Sequence, residues 1–449
     1  MLAVSKIHHW LKEPTSIAPL ITFRIIFGAL MVFSSVRFMA KGWINNHYIE
    51  PQFHFKYFGF EWVEVLPGNG MYIIHILMIV AALGVLFGAF YRFSAVLFFV
   101  LFTYTELIDL TYYLNHYYFV SLVALVMCFL PANSQASVDQ KRGRVSTLSQ
   151  VPRGNLFVIK FLIGLVYVYA GVAKMQADWL LDAMPLKIWL PAHTDMPLVG
   201  SLMDLSATAY VFSWAGMLYD TFIIFFLIWP KTRLYAWMMV VVFHSLTGYF
   251  FQIGVFPLVM TLVTLVFFSD RLHQPVVDFF NKYMLPFKSV ENEKGITFFY
   301  TKYSSAIIVF FVIFQLLFPW RFTLYPGNLF WTEQGYRFSW RVMLMEKAGT
   351  AHFYVKDGKT GREGVAVNSE FLNPHQEKQM AFQPDMILQF AHFLGSYYEA
   401  QGVVDPKVRC ETYVTLNGKP SQLLINPEID LLQIEDSFAN KEWILPYKQ

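Results

Sequence analysis

Leu156-Phe-Val-Ile-Lys-Phe-Leu-Ile-Gly-Leu-Val-Tyr-Val-Tyr-Ala-Gly-Val-Ala-Lys-Met-Gln176 is an apolar run whose only charges are Lys160 and Lys174. At 1.5 Å per residue, a helix of this length reaches about 30 Å, the thickness of a bilayer's hydrocarbon core. Comparable runs at 19–39, 71–90, 92–109, 112–131, 207–229, 233–250, 251–269 and 303–320 bring the predicted membrane-spanning helices to nine. Composition agrees. Of 449 residues, 56% are hydrophobic and 14% charged, against about 25% charged in an ordinary soluble domain, so the bilayer has to solvate most of this surface. The Lys and Arg residues sit in short connections and form no basic-aromatic groove, which argues against a nucleic-acid partner. Lys6, His8, His9 and Lys12 precede the first run and no small-residue cleavage site follows it, so it reads as a retained span.

Charge placement tests the count, because Lys and Arg in short loops collect on the cytoplasmic side. With the N-terminus inside, fourteen such residues in the connections, from Lys6 to Lys302, fall inside, and three, Lys41, Lys56 and Lys187, fall outside. Nine spans then deliver the C-terminal part outside. Cys128 and Cys410 fall on opposite sides, so neither a disulfide framework nor a zinc-type cluster is expected, and no metal site. From Arg321 onward, polar and apolar residues alternate and turn sequences appear, as in Ala351-His-Phe-Tyr-Val-Lys-Asp-Gly-Lys-Thr-Gly and Tyr413-Val-Thr-Leu-Asn-Gly-Lys. These predict the hairpins of a β-sandwich. A helical pattern over 374–400, interrupted at Pro384, predicts two short helices beside it. The fold expected is thus a polytopic α-helical membrane domain over 1–320 followed by an outer, mainly-β sandwich domain over 321–449.

Ionisable groups inside spans are costly and are functional candidates by default. They are Arg24, Arg37, His75, Glu106, Asp109, His116, Lys160, Lys174, Asp220 and His244. Arg37, Glu106, Asp109 and Lys160 lie near span ends, where long side chains can reach the interface and a structural role suffices. Arg24 and His75 carry no further signal. Lys174 ends an outward-running span, His244 lies about two turns from the end of another, and Asn115 and His116 open an inward-running one. All four share a depth just beneath the outer domain. Any one of them alone reads as a satisfied interior polar residue, and the shared depth is what points to a site. Lys174 is the most informative, because desolvation among Tyr167, Tyr169, Gly171 and Met175 favours the neutral amine, which is a base.

Tyr169-Ala-Gly-Val-Ala-Lys-Met-Gln-Ala-Asp-Trp179 resembles the vitamin K-dependent γ-glutamyl carboxylase family, in which a span ending in AGV, a lysine and ADW carries the catalytic lysine. That lysine corresponds to Lys174. Leu114-Asn-His-Tyr-Tyr118 is similar to the family's Asn-His element near the hydroquinone. Phe243-His244 with Phe251-Gln-Ile-Gly254, Gly335-Tyr-Arg-Phe-Ser-Trp340 with Val355-Lys-Asp-Gly-Lys-Thr-Gly361, and Pro384-Asp-Met-Ile-Leu-Gln-Phe-Ala391 follow in the family's order. Ala173 stands where animal members have a second lysine, the long animal C-terminal tail is missing, and no Asn-X-Ser/Thr sequon occurs. These departures fit a bacterial homologue, with the C-terminal domain in the periplasm where a eukaryotic member would place it in the endoplasmic reticulum lumen.

The resemblance implies reduced vitamin K, a naphthohydroquinone, as cofactor, with O2 and CO2 as co-substrates and a glutamyl-containing peptide or protein as partner. In the implied mechanism Lys174 deprotonates the hydroquinone, oxygen adds, and the resulting alkoxide removes the glutamyl γ-proton before the carbanion attacks CO2. Asn115, His116 and His244 would hydrogen-bond quinone oxygens, with His116 also catalytic. Vitamin K epoxidation without protein carboxylation is one alternative. A membrane quinone or heme redox carrier is another, since His116 and His244 on facing spans resemble an axial pair. A transporter finds little support without inverted repeats or paired broken spans.

Overall fold

The apolar runs do become helices, but they break where polar residues and turn geometry intervene. The computed structural model describes residues 2–251, 253–285 and 302–448; Gln252 of the Phe251–Gly254 element and the expected inner charges Lys288 and Lys294 lie outside the described residues. After an amphipathic N-terminal helix, Leu2–Lys12, come α1 (Ala18–Ala40), α2 (Gly70–Phe87), α3 (Tyr91–Leu107), α4 (Asn115–Met127), α5 (Gly154–Ala173), α6 (Ser206–Ile228), α7 (Arg233–Phe251), α8 (Phe256–Val263), α9 (Asp270–Phe279) and α10 (Lys302–Leu317).

Among the described residues, six helical segments are long and apolar enough to cross a membrane: α1, α2, α5, α6, α7 and Ala306–Leu324, which continues α10. A bent pair, Phe256–Phe267 with Asp270–Met284, turns by 112° and makes a seventh if counted as one span. The expected nine are corrected to that extent, and the reason is helix length. The runs at 92–109 and 112–131 fold as α3 and α4, of 17 and 13 residues, about 26 and 20 Å long against roughly 30 Å of hydrocarbon. Asp109 ends the first of these runs: its carboxylate accepts from the Thr111 backbone N–H at 2.9 Å and starts a short 3-10 turn. The run at 251–269 ends at Ser269, beyond which the chain bends into α9.

Arg24, fully buried in α1, has a structural role. It donates to the carbonyls of Ala132, Gln135 and Ala136 at 3.0, 3.3 and 2.5 Å, and so holds the loop after α4. Within that loop's extension, Asp139 accepts from the backbone N–H groups of Phe90 and Tyr91, both at 2.9 Å, satisfying donors at the start of α3. A charge that is expensive in lipid is thereby converted into a set of saturated backbone groups.

The C-terminal region forms one antiparallel sheet of β1 (Lys347–Asp357), β2 (Glu363–Val365), β3 (Pro406–Leu416) and β4 (Gln422–Leu423), in the order β2-β1-β3-β4. Both expected hairpins are present. β1 and β2 pair through Lys356 and Glu363 across the Asp-Gly turn, and Asn417 and Gly418, at φ of 51° and 73°, form the turn between β3 and β4. The expected sandwich is corrected: the described residues supply no second facing sheet. Two helices, α11 (Pro374–Met380) and α12 (Pro384–Ala400), break at Pro384 as the sequence predicts, and α12 forms the second layer. Val408, Cys410, Val414 and Leu416 alternate onto the covered face of β3, and Phe353 meets Phe390 of α12 edge-on at 5.0 Å.

Two large cores result. One lies among α1 to α5 and their neighbours. The other is shared, because Phe55, Trp179, Leu190 and Met217 from the membrane helices and their loops cluster with Phe353, Phe390 and Val414 of the C-terminal region. Polar clasps reinforce this seam: Asn417 to Asp178 at 2.7 Å, Trp189 to Glu346 at 2.6 Å and Gln376 to Asp109 at 2.7 Å.

Candidate active site

Lys174 caps the end of α5 at this seam. Gly171, one turn earlier, lets α5 approach α6 so closely that a Cβ there would stand 2.5 Å from the Thr221 backbone nitrogen. That proximity brings Asp220 of α6 against the lysine. The Lys174 ammonium lies 2.7 Å from Asp220 Oδ2, with both side chains only 8% exposed. It also faces the ring of Trp179 at 5.3 Å, a cation–π contact. Trp179 is fixed in turn, since its indole N–H donates to the Ser213 carbonyl at 2.8 Å and the Ser213 hydroxyl donates to the Trp179 carbonyl.

The pair forms part of the wall of an apolar cavity enclosing about 810 Å³ between α5, α6, α7 and α8. His244 and Tyr167 line the same cavity, along with the aromatic rings of Trp189, Phe243, Phe251 and Phe256, and Val342 and Met343 reach in from the C-terminal part. The Tyr167 hydroxyl lies 2.8 Å from His244 Nε2, while His244 Nδ1 is buried without a partner among the described residues. One ring nitrogen of His244 thus meets Tyr167 and the other faces no protein partner among the described residues. A second, more polar cavity of about 1780 Å³ shares Trp189, Phe251 and Met343 with the first and is bordered by Arg337, Lys347 and Lys378. Burial opposes the Arg337 charge, but Asp385 at 2.5 Å overrides it and holds the guanidinium above its ordinary range. Lys347 is shifted the other way: burial lowers its ammonium despite Glu333 at 2.8 Å.

Of the four residues placed at one depth by the sequence, Lys174 and His244 meet in one cavity. His116 stands behind it, its ring stacked on Phe256 at 5.1 Å, while His244 meets Phe256 edge-on at 6.2 Å. An axial histidine pair would require the Phe256 ring to move out. The Asn115 amide donates to the Arg341 carbonyl at 2.9 Å and its oxygen accepts from Tyr113 at 3.0 Å, so Asn115 holds the segment that carries Val342 and Met343. Sequence reasoning noted Asp220 as an in-span charge without giving it a partner. The available signal was a span, α5, that carries no carboxylate and one lone acid in a neighbouring span.

Two family comparisons cover the chain. Residues 12–271 match the HTTM domain family, and residues 300–449 match the family described as vitamin K-dependent gamma-carboxylase, lumenal domain. No solved structure matches the chain. The helical part with its buried lysine and the sheet-bearing part clasped over it thus carry the two family segments in series, and the chain belongs to the vitamin K-dependent γ-glutamyl carboxylase family.

Proposed function

We propose that this integral membrane protein oxidises reduced vitamin K with O2 to its epoxide and couples that oxidation to γ-carboxylation of glutamyl residues with CO2. The observation that carries the reading is the buried Lys174–Asp220 pair in the wall of an apolar, aromatic cavity. The residues present fit a naphthohydroquinone: flat rings line the cavity, and the unpartnered His244 Nδ1 offers a hydrogen-bonding atom to a ring hydroxyl. When bound, the reduced quinone supplies through its oxidation a base strong enough for a glutamyl γ-carbon, which no side chain provides. Lys174 would accept a hydroxyl proton of the bound hydroquinone, with Asp220 at 2.7 Å holding its nitrogen in place. His244, fixed by Tyr167, orients the ring oxygen. His116 supports Phe256 and with it the cavity wall, and Asn115 positions the Arg341–Met343 segment over the site.

The apolar lining excludes water and so protects strongly basic species from premature protonation. The glutamyl substrate reaches the site through the adjoining polar cavity, where Lys378 borders the opening. We assign residues 1–320 to the membrane-embedded catalytic part and 321–449 to an outer domain in the periplasm of a bacterial inner membrane, a position that the lumenal-domain family match over 300–449 supports. The test is direct. Purified protein in lipid, given reduced vitamin K and O2, should form epoxide, and a glutamyl peptide with labelled CO2 should gain label in proportion. Epoxide without label would restrict the activity to epoxidation, and absence of both would sink the reading.

A further inference from the structure

A second groove, enclosing about 1240 Å³, runs along α5 and α6 on a face that shares no lining residue with the Lys174 cavity. From Tyr169 back to Arg153, the residue before α5, it follows the helix for about 24 Å, toward the end of the helices opposite the C-terminal part. Phe157, Phe161, Leu165, Val168, Ile224 and Phe225 make its walls apolar. Gly164 brings the two helices together at its floor, where a Cβ would meet Ile224 at 3.1 Å.

The far end is strongly cationic, with Arg153, Lys160 and Arg233 all bordering the groove. Arg153 is neutralised by Glu13 at 2.6 Å. Arg233 spends its donors on neutral carbonyls, those of Leu227 and Ile228 at 2.8 Å each, at the end of α6. Lys160 lies 5.5 Å over the ring of Phe267, within electrostatic reach of both guanidinium groups, and has no carboxylate in ion-pair range among the described residues. Among the described residues, two positive charges are therefore uncompensated at the head of a hydrocarbon-lined slot. Such charges are costly at membrane depth unless an anion meets them, and basic pockets between membrane helices are suited to anionic headgroups. A polyisoprenoid tail would fill the walls and leave the cations unmet. A free phosphate would meet the cations and leave the walls empty.

We propose that this groove is a binding site for an anionic phospholipid, its phosphate between Lys160 and Arg233 and one acyl chain along α5 and α6. The inference is independent of the chemistry at Lys174. It is tested on the full chain by native mass spectrometry and by lipid titration in nanodiscs. Phosphatidylglycerol should be retained in preference to phosphatidylcholine. Each basic residue at a lipid headgroup is worth about fivefold in affinity, so Lys160→Gln with Arg233→Gln should weaken phosphatidylglycerol retention about thirtyfold. Lys160→Gln alone should cost about fivefold, which guards against misfolding from loss of the α6 cap. Lys160→Arg should retain binding. Equal retention of the two lipids, or unchanged phosphatidylglycerol binding in the double variant, would overturn the proposal. So would displacement of the lipid by glycerol phosphate at matching affinity, because that would make the site a phosphate site with no use for the groove.

Discussion

Lys174→Ala is expected to lower epoxide formation by about a thousandfold or more, the scale set by removing a positioned base from a reaction that depends on one. The structure adds a complication that a span-end lysine would not have. Asp220 would be left buried without its partner, and breaking such a pair costs about 3–5 kcal/mol. Lys174→Ala with Asp220→Asn removes the stranded charge, so the double variant should recover thermal stability and remain inactive, which separates folding from chemistry. Lys174→Arg keeps a cation beside Asp220 and should also fail, because a guanidinium stays protonated and cannot accept the proton. Substantial epoxidation by the arginine variant would reassign the lysine to fixed positive charge and move the base to the Asp220 carboxylate.

A second clear effect on stability is expected at Arg337→Ala. Arg337 holds Asp385 at the first turn of α12 and donates to Gln383, so it ties the Gly335–Lys347 segment to the helix that backs the sheet. The loss should be about 1–3 kcal/mol, since the half-buried Asp385 loses its guanidinium partner but keeps the Met386 backbone N–H at 2.9 Å. Its pH dependence has a definite sign. In the native protein burial alone would raise the Asp385 carboxyl, but Arg337 overrides it and holds it below the ordinary range. The pair's stabilisation is therefore complete above the ordinary carboxylate range and is lost as pH falls through the depressed value. In the variant the Arg337 attraction is gone while burial, the Lys441 charge and the Met386 N–H remain, so the carboxyl rises from its native position and the loss of stability in acid should be smaller than in the native protein. Thermal unfolding of both proteins in neutral and acidic buffer checks this. A variant that weakens in acid as much as the native protein does would show that Arg337 is not what holds the Asp385 carboxyl down.

Several of these features can be read in the linear sequence and several cannot, for reasons that differ by residue. Lys174 is legible because its span ends in a distinctive run. Its partner is 46 positions away on α6, and nothing in hydropathy says which face of α6 turns toward α5. The same missing rotation explains His116. Depth along a helix follows from counting residues, but azimuth does not, and Phe256 stands between the His116 ring and the cavity. Span counting overshoots because a window average registers apolar residues and is blind to the turn at Asp109 and the bend after Phe267. The hairpins were visible from Asp357-Gly358 and Asn417-Gly418. What covers their apolar face was not, since an alternating strand specifies a buried side and leaves open whether a helix or a sheet buries it.

The shared core has an evolutionary consequence. Two separate family segments describe this chain, yet Phe55, Trp179 and Met217 pack in one cluster with Phe353, Phe390 and Val414. The halves are therefore not interchangeable cassettes. A chimera joining residues 1–320 to the C-terminal part of a distant relative should aggregate or unfold early, and should be rescued when the loops at 53–57 and 178–190 are exchanged along with it. An unrescued graft that already elutes as a single species with native thermal stability would show the seam to be tolerant. With the seam matched as it is, substitutions on one side have to be answered on the other, and the two segments are inherited as one unit.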